Sequence, residues 1–134
     1  MSKIKCYYLG DLKCEANHLY SNNRIKTDAP LDHYGKGENF SPTDLLATSL
    51  GTCILTIMAI KARSNGWELD NLTLEIEKIM TKNNERKIKK LIIDIYIPED
   101  IPKERLHFIK NASEDCPVTR NLSHSLDVQI NWHT

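Results

Sequence analysis

A long apolar segment with helical spacing occupies the middle of the chain, between Phe40 and the Asn65-Gly66 pair. At its start Ser41 fits an N-cap, Pro42 the first helical position and Asp44 the acidic position of a capping box. The residues that then recur at helical spacing are Leu45, Leu46, Leu50, Cys53, Ile54, Ile57, Met58 and Ile60. The pattern predicts a central core helix that ends near residue 65.

Short segments rich in β-formers precede this helix. Residues 4–9, 12–19 and 24–27 read as three strands of an antiparallel meander, with a hairpin turn at Gly10-Asp11. A two-residue loop at that position pairs Tyr7 with Cys14. Cys6 and Cys14 are then expected on opposite faces of the sheet and are not expected to bond to each other.

The part of the chain after the helix alternates between strand and helix signals. Residues 72–76 and 91–97 predict a β-hairpin, Pro102 opens a helix, Cys116-Pro117 opens a further short helix, and residues 126–132 predict a last strand. The fold class is α+β: an N-terminal β-meander, a long central helix, a β-hairpin, two further helices and a C-terminal strand. With 134 residues, of which 40% are hydrophobic, we expect a single domain over residues 1–134.

Composition excludes some classes of function. Eighteen basic and eighteen acidic residues cancel, so the chain has no long-range field that would gather nucleic acid or an anionic membrane. No segment suggests a membrane span, which requires roughly 18 apolar residues. We expect a cytoplasmic protein with no nucleic acid or membrane partner. In a reducing compartment its four cysteines are more often buried, metal-binding or redox-active than paired in permanent disulfides.

Two of the cysteines have surroundings that suit thiol chemistry. Cys116 directly precedes Pro117 and is predicted to be the N-cap of the short helix, beside unpaired backbone N–H groups that favour a thiolate. Cys53 lies about 18 Å from the start of the central helix, beyond the reach of its dipole. A role for Cys53 as a small core residue stays open, and Cys6 and Cys14 are expected to be structural.

Metal binding is a weaker alternative. The sequence contains no C-x-x-C and no H-x-x-x-H spacing, and its five histidines are scattered along the chain. We therefore expect no structural zinc site.

Several motifs together resemble the OsmC/Ohr family of thiol-dependent peroxidases and their OsmC-like relatives. They are Thr27-Asp-Ala-Pro30, Gly35-Lys-Gly-Glu38, Ser41-Pro-Thr-Asp-Leu-Leu46, Leu50-Gly-Thr-Cys53 and Cys116-Pro-Val118. The resemblance covers most of the chain. It implies the OsmC-like fold and an intertwined homodimer with active sites at the subunit interface.

The resemblance also implies a reaction and the residues that perform it. Cys53 would attack a hydroperoxide and become a sulfenic acid, and Cys116 would resolve it to a disulfide that an external thiol or dithiol reduces. No haem, flavin or metal cofactor is needed, and such an enzyme serves the oxidative stress response. Because Leu50, Ile54 and Ile57 flank Cys53, we expect organic hydroperoxides to be preferred over hydrogen peroxide.

In the family's peroxidases an N-terminal arginine and a glutamate after the helix-start proline hold the reacting thiolate. Arg24 is the only arginine before the central helix, and Asp44 stands one position later than that glutamate. Both are candidates, and the displaced acid resembles the OsmC-like branch. The alternative is a non-catalytic dimer that binds a small molecule or senses redox state, because a buried Cys53 without a cation would have a raised pKa.

Overall fold

The structure is a computed structural model that describes residues 2–122 and 124–134. Its strands and α-helices are β1 (Ile4–Gly10), β2 (Lys13–His18), β3 (Asn23–Asp28), α1 (Pro42–Ser64), β4 (Thr73–Met80), β5 (Ile88–Tyr96), α2 (Lys103–Ala112), α3 (Pro117–Leu122) and β6 (Val128–His133). This order confirms the predicted α+β fold. The chain forms two compact units, Met1–Leu46 and Ala47–Thr134, and the single domain stays a prediction.

The N-terminal unit contains the predicted meander, in which β2 lies between β1 and β3 and all neighbours are antiparallel. The predicted register was wrong by one residue. The hairpin loop is Asp11-Leu12, with φ of 54° and 60°, and the pairing shifts at a bulge between Tyr8 and Gly10. Two positive φ values in succession are typical of the tight turn that matches strand twist, although leucine rarely adopts one.

This shift changes the relation between the two N-terminal cysteines. Tyr8, rather than Tyr7, pairs with Cys14, and Cys6 pairs with Ala16. Because a one-residue slip moves a side chain to the other face of a sheet, Cys6 and Cys14 lie on the same face and not on opposite faces. Both are free thiols.

A buried ion pair between Asp28 and Lys13 stabilises the segment that follows β3. The Asp28 side chain is fully buried, and its Oδ2 atom accepts hydrogen bonds from Lys13 Nζ at 2.9 Å and from the Glu38 N–H at 2.8 Å. The Lys13 ammonium and the Glu38 N–H together hold the pKa of Asp28 below its usual value. The segment also contains a short 3-10 turn at Leu31–His33 and a bridge between Thr27 and Phe40.

Helix α1 begins and ends at the predicted residues. Ser41 Oγ accepts the Asp44 N–H at 3.0 Å, and the Ser41 N–H donates to Asp44 Oδ2 at 2.9 Å, which is a reciprocal capping box. At the other end the Trp67 N–H donates to the Ala62 carbonyl, while Gly66 adopts φ of 84°. This is a Schellman-type end, in which glycine supplies the left-handed residue.

The C-terminal unit is a three-stranded sheet with helices against it. β5 lies in the middle, antiparallel to β4 and parallel to β6. The core combines apolar residues of α1 and α2 with the inward face of β5: Leu50, Ile54, Met58, Leu91, Ile93, Ile95 and Ile109. Ile60, which was predicted in the core, is 54% exposed.

Gly51 explains how closely α1 approaches the sheet. A Cβ atom at this position would lie 2.5 Å from Ile76 Cδ1 and 3.0 Å from Leu74 Cδ1, so a side chain would displace two residues of β4. Glycine in a helix costs about 1 kcal/mol relative to alanine. Close helix-to-sheet packing therefore accounts for a residue that is unfavourable for the isolated helix.

By length and composition α1 is apolar enough to cross a membrane, which the sequence analysis did not expect. A core helix of a soluble protein meets the same criterion. Six residues of α1 are buried within the C-terminal unit, namely Ala47, Leu50, Gly51, Ile54, Met58 and Ala62. We therefore assign α1 to the core of the fold.

Candidate functional site

The candidate site is a pair of thiols within the C-terminal unit. Cys53 lies on α1, three residues after Leu50 and directly before Ile54, and its side chain is half-buried. Cys116 lies between α2 and α3 and is completely buried, with an exposed fraction of 0%. Cys53 packs against the buried core cluster that includes Cys116, the two side chains are close enough to influence each other's pKa, and both cysteines are free thiols.

Local sequence explains the position of Cys116. After α2 the chain makes a 3-10 turn at Ser113–Asp115, and Cys116 is extended, with φ of −89° and ψ of 121°. Pro117 then begins α3, and the Cys116 carbonyl accepts the Arg120 N–H at 3.0 Å. The extended backbone before a first-position proline is the geometry of an N-cap, as the sequence predicted.

The sulfur of Cys116 acts as the cap. Its Sγ atom lies 3.5 Å from the backbone nitrogen of Thr119, which donates its N–H to it. Burial alone would raise the pKa of Cys116, but the hydrogen bonds from Cys53 and Thr119 outweigh burial and lower that pKa.

The pKa of Cys53 shifts in the opposite direction, above its usual value. Burial has the largest effect and raises the pKa of the Cys53 thiol. The interaction with Cys116 raises it further, and the backbone N–H of Val118 lowers it. The pKa values of the two thiols therefore shift in opposite directions.

The charged residues beside Cys116 form ion pairs with one another. Asp115 directly precedes Cys116 and binds Arg120 Nη2 through one carboxylate oxygen. Its other oxygen lies 3.4 Å from Lys61 Nζ. Because this carboxylate attracts both cations, neither is placed as a dedicated counter-ion of the thiol pair.

A cavity of about 310 Å³ is lined by neighbours of both cysteines, although neither cysteine itself is part of its lining. Leu50 and Ile54, which flank Cys53, form one wall, and Thr119, whose N–H contacts Cys116, forms part of another. The remaining apolar wall consists of Leu122, Leu126, Val128 and Ile130, and Ser113 and Glu114 add polar atoms. A cavity of this size with mainly apolar walls suits a hydrophobic ligand.

The other candidate residues lie in the N-terminal unit. Arg24 Nη1 forms an exposed ion pair with Glu15 Oε2 at 3.1 Å on the meander. Asp44 contributes its carboxylate to the capping box of α1. The structure thus brings Cys53 and Cys116 together, while the roles of Arg24 and Asp44 at the thiol pair stay predictions.

Sequence reasoning missed Thr119 and the cavity. Thr119 stands three residues after the N-cap, which is where a cap accepts an N–H, so the Cys116 prediction contained the signal. The cavity combines α1 with Leu122, Leu126, Val128 and Ile130, and no local pattern joins segments so distant in sequence. Within residues 2–122 and 124–134 no group of three or more histidine, cysteine or acidic residues could hold a metal ion.

Most of the chain matches one known protein family. The family described as OsmC-like protein matches residues 35–131. The chain belongs to the OsmC-like family. This result confirms the resemblance seen in the sequence motifs, and the matched range includes α1, both cysteines and the cavity.

Solved structures of OsmC-like proteins share the whole fold. A Psychrobacter arcticus protein, provisionally named as an osmotic stress induced and detoxification response protein, is 40% identical with a TM-score of 0.90 over 99% of this chain and 96% of that one. An organic hydroperoxide resistance protein OsmC from Legionella pneumophila is 16% identical with a TM-score of 0.78 over 100% and 97%. At that identity the second likeness concerns the fold alone.

One curated relative is the uncharacterized protein MJ0573 of Methanocaldococcus jannaschii. It is 30% identical over an alignment of 105 residues, and the match covers 72% of this chain and 53% of the relative. The chain therefore spans about half the length of that protein.

Proposed function

We propose that this OsmC-like protein is a cytoplasmic, thiol-dependent peroxidase that reduces organic hydroperoxides through Cys53 and Cys116. The observation that carries the proposal is that the two thiols lie close enough to influence each other's pKa and that neighbours of both line an apolar cavity. Such a pair, with one half-buried and one fully buried member, supplies both parts of a two-thiol cycle, an attacking group and a resolving group.

The reaction proceeds in three steps. Cys53 Sγ, as thiolate, attacks the distal oxygen of the hydroperoxide and the O–O bond breaks, so Cys53 becomes a sulfenic acid; the leaving alkoxide takes a proton from solvent and departs as the alcohol. Cys116 Sγ then attacks Cys53 Sγ, the S–O bond breaks, water leaves and a disulfide forms. An external thiol or dithiol supplies two electrons and two protons and restores both thiols.

The cavity supports the organic substrate class. Its apolar wall would remove the hydrocarbon part of a hydroperoxide from water, at a gain of roughly 25 cal/mol per Å² of apolar surface. Hydrogen peroxide has no such part and gains nothing from Leu126, Val128 or Ile130. Selectivity in this enzyme arises from binding the tail rather than from the reaction at sulfur.

We also propose that the protein forms a homodimer. Proteins of the OsmC/Ohr family are typically homodimers. The single chain exposes Ile60 on α1 and, on the N-terminal meander, large side chains such as Ile4, Tyr8 and Ile25. Exposed apolar residues in such number favour burial against a second copy. In that dimer Arg24 and Asp44 are the proposed supporting residues at the thiol pair.

A second candidate function is the binding of a hydrophobic small molecule without catalysis. The same cavity favours it, together with the raised pKa of Cys53, which keeps that thiol protonated. This reading predicts ligand binding that does not change when Cys53 is replaced by serine, and no consumption of hydroperoxide.

A peroxidase assay separates the two functions. With dithiothreitol or dihydrolipoamide as reductant, we expect kcat/KM for cumene hydroperoxide to exceed that for hydrogen peroxide by about tenfold or more, as expected for a group that fills an apolar pocket. Leu126→Ala should lower the organic rate and leave the hydrogen peroxide rate unchanged. Leu69→Ala, at a half-buried leucine outside this cavity, is the matched control. Consumption no faster than that by free thiol would contradict the proposal.

A further inference from the structure

We propose that Glu114 selects substrates by charge, so that the apolar cavity accepts hydroperoxides whose polar end is neutral or cationic and discriminates against those that carry a carboxylate. The inference rests on the proposed peroxidase function and deepens it, because it names a class within the organic hydroperoxides. Alkyl, aryl and ester hydroperoxides belong to the favoured class, and the hydroperoxides of free fatty acids belong to the disfavoured class.

The first observation is the position of Glu114 in the cavity. Among the described residues that line the cavity, Glu114 is the charged one, and six of the others are apolar. Leu50 and Ile54 are buried at the inner wall, whereas Glu114 is exposed. A lining residue that is itself exposed lies where the cavity opens to solvent. An amphiphilic ligand with its apolar part inside the cavity would place its polar end at this opening.

The second observation is that this carboxylate has no counter-ion. In the described part of the chain no ion pair and no hydrogen bond involves the Glu114 side chain. Of the nearby cations, Lys61 and Arg120 both bind Asp115, and the Lys110 ammonium lies over an aromatic ring of β6 at 5.5 Å. These three cations do not line the cavity. The charge that a ligand meets at the opening is therefore that of Glu114.

The buried hydroxyl next to Glu114 favours the same class of ligand. Ser113 is 4% exposed, and its hydroxyl donates to the Lys110 carbonyl at 2.6 Å, so towards a ligand its oxygen can only accept a hydrogen bond. A ligand hydroxyl or ammonium group can donate to Ser113 and Glu114. An ionised carboxylate only accepts, so it would lose hydrogen bonds to water without replacing them.

The size of the expected effect follows from the interaction of two unit charges. In water, like charges about 4 Å apart repel by an amount that corresponds to roughly a fivefold change in binding, and apolar walls that exclude water increase this factor. Dissolved salt screens charges near the surface. We therefore expect a discrimination of about fivefold or more at low salt, which decreases as the salt concentration rises.

The test compares the hydroperoxide of linoleic acid with that of methyl linoleate, which has the same tail and reacting group but no charge. Below the concentration at which either compound aggregates, wild type should show a kcat/KM about fivefold or more higher for the ester. Glu114→Gln should bring the ratio close to one, and Glu114→Lys should reverse it. Glu104→Gln removes an exposed charge on α2 that does not line the cavity and should keep the wild-type ratio.

A binding measurement separates the charge preference from the chemistry. The uncharged fluorescent dye Nile red is bound to the reduced protein and displaced by decanol, decylamine or decanoate. Decanol and decylamine should displace the dye at concentrations about fivefold or more lower than decanoate, and Glu114→Gln should remove the difference. Leu126→Ala should weaken the binding of all three compounds, since it removes part of the apolar wall that they share.

The contrary results are distinct from one another. Equal kcat/KM for acid and ester in wild type, or a ratio that Glu114→Gln does not change, would overturn the inference. A preference for the acid that is lost in Arg120→Gln would mean that the cations at Asp115 reach the ligand, and it would overturn the inference as well. If wild type consumes no hydroperoxide, the proposed function fails, while the order of decylamine and decanoate still decides the charge preference.

Discussion

Replacement of Cys53 by serine is expected to remove hydroperoxide turnover, with kcat/KM lower by about a thousandfold or more. A hydroxyl ionises far less readily than a thiol and cannot form a sulfenic acid, so the first step has no substitute. Serine is nearly isosteric with cysteine, so the fold should tolerate the change. The measurement is steady-state consumption of cumene hydroperoxide with dihydrolipoamide as reductant.

The matched control is Cys14→Ser, because Cys14 is also a free, half-buried thiol but lies on the N-terminal meander. It should retain wild-type turnover. Activity that survives Cys53→Ser, or that is lost in Cys14→Ser, would show that the reacting thiol has been misassigned.

The second large effect concerns stability. Ile95 lies in the middle of β5 with an exposed fraction of 0% and pairs with Leu74 and Trp132 on the neighbouring strands. Ile95→Ala removes buried methyl and methylene groups and leaves a cavity, which costs about 2–5 kcal/mol in the free energy of unfolding. Urea unfolding of the reduced protein, followed by circular dichroism, measures this loss.

Ile92→Ala is the control for Ile95→Ala, since the same change is made on the same strand but on the opposite, partly exposed face. We expect a clearly smaller loss of stability there. Equal losses at the two positions would mean that the two faces of β5 are buried alike in solution, for example by a partner subunit.

Much of this fold could be predicted because local signals agreed with one another. The capping box at Ser41 and Asp44, the glycine at 66 and the helical spacing between them defined α1 at both ends. The register of the first hairpin could not be predicted. It depends on a bulge after Tyr8 and on a left-handed Leu12, and neither has a signature in composition.

Part of the candidate site could likewise be predicted from the sequence, and part could not. The N-cap position of Cys116 followed from Pro117, and the pairing with Cys53 followed from family resemblance. The cavity could not be predicted, since it joins α1 to residues that are more than 60 positions away in the chain, as Leu50 and Leu122 illustrate. The opposite pKa shifts of the two thiols depend on burial and on the Thr119 N–H, and both are properties of the packed state.

The most direct measurement is a single turnover in the absence of reductant. Reduced protein is mixed with an equimolar amount of cumene hydroperoxide, alkylated, digested without reducing agent and analysed by mass spectrometry together with the organic products. We predict a disulfide between Cys53 and Cys116 and an equal amount of the corresponding alcohol. Intact hydroperoxide together with two alkylated thiols would contradict the assignment of this pair as a peroxidase site.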